Sequence, residues 1–513
     1  MDSEARAELV FGIVAAIGTP LDFVVESLKD DLATKTYASE LLHLSRLMDV
    51  FDLPTNPPLP GARPYERLKT LIKRGDELRD QYGPEALALL AASHINSMRP
   101  DTAPRSIPGK AFILRQLKHP EEVYLLRSIY GDGFHVIGLY CSMSERRHEL
   151  KTRYFMSDSE IDELINLDEY ERPEFGQRFR ETFHLADGFI AVSATPPGTD
   201  RTKAQLTRLL DLLFGTRIIT PTKDEYAMYL AHAAALRSSS LGRQVGASII
   251  NRDGDVLAIG ANEVPKFGGG SYWENDPTRP PPPGYLDGRD HARGYDSNDE
   301  MQRDLMAEVL RELDPNWSKL DEAARTEKII KACKVLKDSG ARVMNLTEFG
   351  RAVHAEMSAL MASARIGVSV QNGSLFTTTF PCHGCAKHII DAGLRRVVYV
   401  EPYPKSLAAN FHSDAISVED LDVSNNQEGG ESTKVRFEPF VGVAPRRYDA
   451  LFSMKTKEGR ETRRKNRMGE LEKTAIGLRL TMQPHSYTDR ESLAAKSLED
   501  KRQRMSFGAR GEK

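Results

Sequence analysis

Apolar and polar residues alternate along the first half of the chain in blocks that predict strands separated by helices. Four apolar runs have the length and composition of buried strands: 9–14, 111–114, 134–140 and 188–192. Residues 21–31 instead space their apolar side chains as an amphipathic helix does. Because strands that alternate with helices pair in the same direction, the pattern predicts a parallel sheet of βαβ units.

The second half of the chain mixes strands and helices again, after a break near 216–222. Three further apolar runs predict strands: 245–250, 375–379 and 397–400. A polar insertion over about 265–350 interrupts them and contains four consecutive prolines at 280–283. A buried strand cannot contain such a run, so the insertion is predicted to be a surface loop or lid.

These breaks predict an α/β protein with two domains and a tail. The N-terminal domain spans 1–218, the second domain spans 219–453, and a charged C-terminal tail spans 454–513. Residues 455–467 contain seven basic and two acidic side chains, a composition typical of a solvated helix or a partly disordered segment.

Composition narrows the class of protein. Lys and Arg number 70 and Asp and Glu 74, which gives a net charge of −4 and does not favour a dedicated nucleic-acid coat. No apolar run is long enough to cross a bilayer, and the acidic start at Asp2 and Glu4 is unlike a signal peptide. Four cysteines, two of them in a C-x-x-C pair, are typical of a reduced chain with metal or redox chemistry. We therefore expect a cytoplasmic protein without a membrane partner.

Two short motifs in the second half carry the most specific chemistry. His354 and Glu356 form a His-x-Glu motif that opens a predicted helix, and Cys382 and Cys385 form a Pro-Cys-x-x-Cys motif between a strand and a helix. A catalytic zinc site takes three protein ligands and keeps a fourth position for water. His354, Cys382 and Cys385 meet that count for Zn²⁺, and Glu356 is the candidate proton shuttle. This combination is the signature of zinc nucleobase deaminases.

Each of the two motifs, taken alone, also has a non-catalytic interpretation. A single C-x-x-C pair is also found in redox sites and as half of a structural zinc site. A structural site needs a fourth ligand, for which His383 and His388 are the nearest candidates. The order of the two motifs and their positions at helix starts favour the catalytic interpretation.

Residues 221–452 resemble the deoxycytidylate deaminases. The stretch 237–247, with Arg243 in it, is similar to that family's opening helix and first strand, and 260–265 is similar to its sugar-contacting loop. The resemblance implies a three-layer α/β/α domain in which Asn262 binds the deoxyribose hydroxyl and the base edge. It also makes Arg243 and Lys266 candidates for the substrate phosphate and Tyr403 a candidate for the base or sugar.

The order of the two domains resembles that of bacterial antiviral deoxycytidylate deaminases, in which a P-loop-kinase-like domain comes first. The resemblance implies hydrolysis of dCMP, with dCTP as a further candidate, and depletion of the pool that a replicating phage needs. It also implies a homo-oligomer such as a hexamer, control by deoxynucleoside triphosphates, and inhibition by a small structured RNA. Several deoxycytidylate deaminases hold a second, structural zinc ion in the insertion before the His-x-Glu motif. The insertion of this chain contains only His291 and Cys333 as possible ligands, far apart in sequence, so we do not expect a second zinc site.

The loop after the first predicted strand has part of a phosphate-binding motif. Gly12, Gly18 and Thr19 supply the glycines and the hydroxyl of such a motif, but no lysine follows Gly18 and the spacing is one residue too long. The run 111–114 is followed by Arg115, where a magnesium-binding acid is expected. We therefore expect a degenerate kinase fold that binds a nucleotide or another regulator without efficient phosphoryl transfer.

Two rival functions remain open at the level of sequence. A polynucleotide deaminase would act on a flipped base of RNA or single-stranded DNA, cytosine or adenine, and the basic run 455–467 is its only support. A regulatory RNA-binding protein could retain the deaminase fold as a vestige, although all three ligands and Glu356 are present.

Overall fold

The computed structural model contains two six-stranded sheets. It describes residues 7–101, 106–169, 177–274, 287–339, 341–346, 348–401, 406–418, 433–455, 459, 464–465, 467–470 and 484–508. Most strand pairs in both sheets are parallel, so the prediction of an α/β fold with a parallel N-terminal sheet is confirmed.

Twelve strands lie in the described part of the chain. They are β1 (Leu9–Ala15), β2 (Ala38–His43), β3 (Lys110–Arg115), β4 (Phe134–Tyr140), β5 (Gly188–Ala191), β6 (Gly246–Ile250), β7 (Val256–Ala261), β8 (Ser374–Thr377), β9 (Arg396–Tyr399), β10 (Ile416–Val418), β11 (Val435–Pro439) and β12 (Gly442–Val443).

The described residues also form eighteen α-helices. Nine belong to the first half: α1 (Leu21–Thr34), α2 (Leu44–Leu47), α3 (Pro64–Tyr82), α4 (Ala86–Ser97), α5 (Pro120–Tyr130), α6 (Met143–Thr152), α7 (Asp158–Glu169), α8 (Phe179–His184) and α9 (Gly198–Phe214). Nine follow: α10 (Lys223–Ala235), α11 (Asp290–Arg293), α12 (Ser297–Leu313), α13 (Glu322–Asp338), α14 (Ala355–Ile366), α15 (His383–Asp391), α16 (Ala408–Phe411), α17 (Pro445–Phe452) and α18 (Pro484–Gly508).

The N-terminal sheet has the order β12-β5-β4-β1-β3-β2, with β1 to β5 parallel and β12 antiparallel at one edge. Strand β1 is buried on both faces: Val10 and Val14 face one core, and Phe11 and Ile13 face the other. Strands covered on both faces are apolar throughout, which is why the hydrophobic pattern predicted β1. Strand β2 is a half-exposed edge strand with the sequence ASELLH, so the same pattern missed it.

The C-terminal sheet has the order β10-β11-β9-β8-β6-β7 and is covered on both faces. Ala247 and Ile249 of β6 pack in the core that contains Ala355 and Ala359 of α14. Ile250 packs in the core that contains residues of α10. The strand therefore separates two helical layers, as the three-layer prediction requires.

The tertiary structure differs from the predicted domain organisation in the insertion and at residues 442–452. The insertion over 265–350 contains helices α11, α12 and α13, and its proline run lies outside the described residues. Residues 442–452, predicted to close the second domain, instead join the N-terminal sheet through β12 and α17, whose Val443 and Leu451 pack in its core. The reason is that β12 completes an edge that the N-terminal strands leave open.

The C-terminal stretch is not a free charged tail, because α18 packs on α4 and α5 of the N-terminal domain. Tyr487 and Leu498 are buried there. Glu491 accepts a 2.7 Å hydrogen bond from Nη2 of Arg99, whose Nη1 donates to Glu8. The sequence predicted only a charged tail over 454–513, and a partner 392 residues away neutralises Glu491 within it.

Across the described residues, none of the helices combines the length and the apolar character that crossing a membrane would require.

Helix α10 touches the backbone of β6 at Gly246. A Cβ atom at this glycine would lie 1.9 Å from the carbonyl oxygen of Ala231 and 2.5 Å from the amide nitrogen of Ala235. The strand and helix must therefore separate in Gly246→Ala. We expect a loss of roughly 1–3 kcal/mol or more, as for other overpacked cores. Urea unfolding should show a lower midpoint than for wild type, whereas Gly242→Ala, with nothing within 4 Å of its Cβ position, should match wild type.

Asp187 joins helix α17 to the N-terminal sheet. Its carboxylate accepts hydrogen bonds from the amide of Val136 (2.7 Å) and from Nε of Arg447 in α17 (2.9 Å). Burial alone would raise the pKa of Asp187, but Arg447, Arg446 and Arg127 hold that pKa below its ordinary value. The carboxylate therefore stabilises the fold in its charged form.

The lowered pKa of Asp187 predicts acid sensitivity. Its contribution is fully present above the unfolded pKa, about 4, and is lost as the pH falls through the lower folded pKa. In Asp187→Asn we expect about 3–5 kcal/mol less stability at pH 7, because buried arginines lose their partner. We also expect a smaller further loss between pH 5 and pH 3 than in wild type. Urea midpoints at these three pH values test this, with the exposed Asp253→Asn as control; equal acid sensitivity of all three proteins would contradict it.

Candidate metal centre and its surroundings

Two helices begin at the same edge of the C-terminal sheet. His354 is the N-cap residue of α14, and Cys382 is the N-cap residue of α15, five residues after the last residue of β8. Glu263, just after β7, exchanges backbone hydrogen bonds with Val353 and so fixes the start of α14 beside the ends of these strands. The two motifs that are 28 residues apart in sequence therefore meet.

The geometry of the cluster fits a tetrahedral metal ion. Nδ1 of His354 lies 3.4 Å from Sγ of Cys382 and 3.4 Å from Sγ of Cys385, and the three potential ligand atoms lie within 4.8 Å of one another. Zinc bonds of the usual lengths at tetrahedral angles put nitrogen and sulfur ligands about 3.5 Å apart. The donor set and its spacing are consistent with zinc.

The electrostatics of the cluster favour a thiolate at Cys382. A hydrogen bond from the Cys385 thiol lowers the pKa of Cys382 to about 3, with His354 adding to the effect. The pKa of Cys385 is raised, because the charge on Cys382, burial and Glu356 oppose a second negative charge. A divalent cation bound at the centre would offset the repulsion between the two negative charges and so favour the thiolate form of both cysteines.

Glu356 lies in the first turn of α14 and is 3% exposed. Its Oε2 accepts a hydrogen bond from the Cys385 sulfur at 3.7 Å, so the carboxyl group borders the metal centre. Burial raises the pKa of Glu356 above its ordinary value. A carboxyl group with a raised pKa, next to a metal position, is well suited to accept and return a proton.

The alternative of a structural zinc site requires a fourth protein ligand. Within the part of the chain that the structure describes, the metal-ligating group at this position contains His354, Cys382 and Cys385 alone. His383 stacks edge-on against Phe411 with ring centroids 5.6 Å apart. A three-ligand set leaves a coordination position for water, as catalytic zinc sites do.

Asn262 holds the loop that borders the metal centre. Its Oδ1 accepts a hydrogen bond from the amide of Val245 (2.7 Å), and its Nδ2 donates to the carbonyl of Arg243 (2.8 Å). A carboxamide has two donors and two lone pairs, so one of each remains for a ligand. Arg243 is exposed; a hydrogen bond with Cys382 raises the pKa of His354, and the charge of Arg243 opposes this rise.

The other predicted substrate residues are less closely tied to the centre. Lys266 lies in the turn after Glu263, where its amide donates to the carbonyl of Gly270. Tyr403 lies outside the described residues. Glu263, which the sequence interpretation missed, is buried and accepts hydrogen bonds from the amide and hydroxyl of Ser239. The signal in the sequence is an acidic residue between Asn262 and Val264, directly after the apolar run 256–261.

The predicted nucleotide residues of the N-terminal domain lie elsewhere in the molecule. Gly12 is in the middle of β1, not in the loop, and a Cβ there would lie 2.5 Å from Cδ1 of Leu117. This glycine allows close packing, and its position does not fit a phosphate contact. Gly18 has a positive φ of 84°, and the Thr19 hydroxyl donates to the carbonyl of Ala16.

Removal of one thiol should abolish metal binding. In Cys382→Ser, the centre loses the ligand with the lowest pKa and one of its two soft donors, so we expect the zinc content measured by mass spectrometry to fall below about one tenth of wild type. Cys333→Ser is the matched control, because Cys333 lies in α13 outside the cluster. Equal zinc content in the two variants would exclude Cys382 as a ligand.

Comparison with known proteins agrees with this centre. Residues 221–401 match the family model of the cytidine and deoxycytidylate deaminase zinc-binding region. The deoxycytidylate deaminase of enterobacteria phage T2 is 39% identical over 54 residues, which are 10% of this chain and 29% of that protein. ComE operon protein 2 of Bacillus subtilis (strain 168) is 33% identical over 75 residues, 14% of this chain and 40% of that protein. A probable deoxycytidylate deaminase of Drosophila melanogaster is 41% identical over 71 residues, 13% of this chain and 34% of that protein.

The chain thus spans less than half the length of each of these relatives. Among solved structures, the dCMP deaminase of cyanophage S-TIM5, crystallised in complex with dCMP and dUMP, has 17% identity and a TM-score of 0.22, and the match covers 43% of this chain and 99% of that one. Residues 221–401 are thus similar to the zinc-binding region of the cytidine and deoxycytidylate deaminases, and the His-Cys-Cys cluster lies within this stretch.

Proposed function

We propose that the chain is a zinc-dependent hydrolase that converts deoxycytidine nucleotides, dCMP and also dCTP, to the deoxyuridine nucleotides and ammonia. The observation that carries this proposal is the buried Glu356 carboxyl next to a three-ligand cluster. A structural metal site does not require a buried carboxyl group with a raised pKa. Hydrolytic deamination does require such a group, because a proton must be accepted and returned.

The reaction adds water at C4 of the cytosine ring and expels the amino group. When bound, zinc supplies a water nucleophile that is reactive at neutral pH. Glu356 is positioned to accept the proton of this water and to deliver it to the ring nitrogen N3. It then transfers the second proton to the amino group, which leaves as ammonia, and the carbonyl of uracil remains. Burial of Glu356 keeps bulk water from competing for the proton.

The loop beside the cluster supports a nucleotide as substrate. Asn262 retains one amide donor and one lone pair that could bind the sugar hydroxyl and the base edge. Arg243 lies close to His354 and could neutralise a phosphate, with Lys266 and Tyr403 as further candidates. The names of the relatives from phage T2 and Drosophila, both deoxycytidylate deaminases, favour dCMP over a polynucleotide.

For the N-terminal domain we propose a degenerate P-loop-kinase-like fold that regulates the deaminase. Its parallel strands have the order 2-3-1-4-5, and a glycine-containing loop joins β1 to α1. We further propose an antiphage role through depletion of deoxycytidine nucleotides, in a homo-oligomer controlled by a deoxynucleoside triphosphate or a small RNA. This proposal rests on the resemblance to bacterial antiviral deaminases.

Replacement of the proton shuttle should separate chemistry from metal binding. In Glu356→Gln we expect zinc content to be unchanged and the rate of ammonia release from dCMP to fall by about 10²–10⁴-fold, the usual contribution of a general acid–base. The exposed Glu300→Gln in α12 is the control and should retain full activity.

The substrate class is tested on the same proteins. We expect wild type to release ammonia from dCMP or dCTP and not from single-stranded DNA or RNA. Turnover of a polynucleotide alone would replace the proposal with a polynucleotide deaminase, and absence of turnover on all substrates would favour a regulatory protein with a vestigial site. In bacteria, expression of wild type but not of Glu356→Gln should lower the dCTP pool.

A further inference from the structure

A cavity of about 460 Å³ opens at the carboxyl edge of the N-terminal sheet, far in sequence from the metal centre. Residues 17–19 after β1 border it, together with His43 and Arg115, which end β2 and β3 and are direct register partners. Ligands of open α/β sheets bind in the crevice outside the carboxyl ends of the strands. The volume also lies within the range of small-molecule sites, about 300–1,000 Å³.

The wall of the cavity has an excess of positive charge. Its cationic side chains are Arg46, Arg67, Arg79, Arg115 and Lys118, and its anionic side chains are Asp22 and Asp168. Three of the cations have carboxylate partners: Arg115 with Asp22 (2.5 Å), Lys118 with Asp168 (2.5 Å) and Arg79 with Glu122 (2.8 Å). Both carboxylates of the wall are therefore already neutralised.

Two cations remain without a partner. In the described part of the chain, the exposed guanidinium groups of Arg46 and Arg67 make no hydrogen bond or ion pair. Burial lowers the pKa of His43, and Arg115 and Arg46 lower it further, which shows that these two arginines lie close enough to act on the same ring. An anionic ligand would relieve this repulsion between like charges.

The rest of the wall is largely apolar. Leu68, Leu71 and Ile72 of α3 contribute to it, as do Met48 and Leu87. A free phosphate ion would leave this surface in contact with water, whereas an organic group attached to the phosphate would cover it. The cavity therefore combines an anion-binding side with room for an apolar or heteroaromatic group.

The glycine-containing loop at the floor of the cavity is closed by the chain's own carboxylate. Oδ2 of Asp168 accepts a hydrogen bond from the amide of Ile17 (2.9 Å), and its Oδ1 accepts one from Nζ of Lys118. Nζ of Lys118 also donates to the carbonyl of Ala15 (2.8 Å). A phosphate in this loop would have to displace the buried Asp168 from both donors, and the loop is therefore not available for a phosphate donor.

We infer that the cavity reversibly binds a nucleoside monophosphate, with its phosphate against Arg46 and Arg67 and its base on the apolar wall. The ligand is bound without reaction, since the closed loop admits no phosphoryl donor. The site is separate from the metal centre and does not depend on the proposed deamination. The site gives the N-terminal domain a ligand-binding function in which neither Gly12 nor Thr19 binds the phosphate.

Calorimetric titration of the full-length zinc-loaded protein tests this inference. The probes are the four common ribonucleoside monophosphates, adenosine and inorganic phosphate. We expect at least one monophosphate to bind, and adenosine and phosphate each to bind at least tenfold more weakly. In the double variant Arg46→Gln, Arg67→Gln, affinity for that monophosphate should fall at least tenfold. The control Arg252→Gln, Arg311→Gln removes two exposed arginines outside the cavity and should bind as wild type does.

Several outcomes would overturn the inference. These are absence of binding by all four monophosphates, unchanged affinity in the Arg46→Gln, Arg67→Gln protein, and equal affinity for inorganic phosphate. Formation of a nucleoside diphosphate from ATP and the bound monophosphate would refute the claim that the loop is closed. Zinc content and melting temperature of each variant distinguish loss of the site from loss of the fold.

Discussion

The convergence of two helix N-termini at one edge of the C-terminal sheet is the constraint on which the metal centre depends. Helix α14 brings His354 and Glu356, and helix α15 brings Cys382 and Cys385, so neither helix alone could complete the ligand set. The approach is close: a Cβ at Gly260 of β7 would lie 2.4 Å from the carbonyl oxygen of Ala355. Backbone contact between strand and helix therefore leaves little freedom in the ligand positions. The positive ends of both helix dipoles also favour thiolates at this point.

The two sheets are not independent units joined by a linker. Residues of α10 and of the C-terminal strands share a core with the N-terminal domain, as Met228 and Phe376 pack in the cluster that contains Val10. After leaving the C-terminal sheet, the chain adds β12 and α17 to the N-terminal sheet, and α18 then pairs Glu491 with the buried Arg99. The N-terminal domain and the C-terminal sheet are thus in direct packing contact, as the proposed regulation requires.

The chain uses buried carboxylates in two opposite ways. Asp168 is fixed by the ammonium of Lys118 and an amide, and this ion pair occupies a loop that could otherwise have bound a phosphate. Glu356 makes no ion pair in the described part of the chain, and burial raises its pKa. Its carboxyl group is therefore suited to accept and release a proton. The neutralised carboxylate closes one loop, and the carboxyl group without an ion pair borders the candidate metal centre, where we propose that it transfers protons. The cavity that this loop borders is also lined by Arg46 and Arg67, which have no ion-pair partner among the described residues.

The sequence by itself predicted the α/β class, the parallel N-terminal sheet with its central strands, and the three residues of the candidate metal centre. It could do so because a strand buried on both faces is apolar throughout, and because His-x-Glu and Cys-x-x-Cys each lie within one helical turn, where spacing fixes geometry. Only the tertiary structure decided the edge strand β2, the return of residues 442–452 to the first sheet and the docking of α18. It alone also paired Lys118 with Asp168, 50 residues apart, and Arg99 with Glu491, 392 residues apart. The physical reason is that a charged residue has the same appearance in sequence whether it meets water or a distant partner, and packing alone selects between the two.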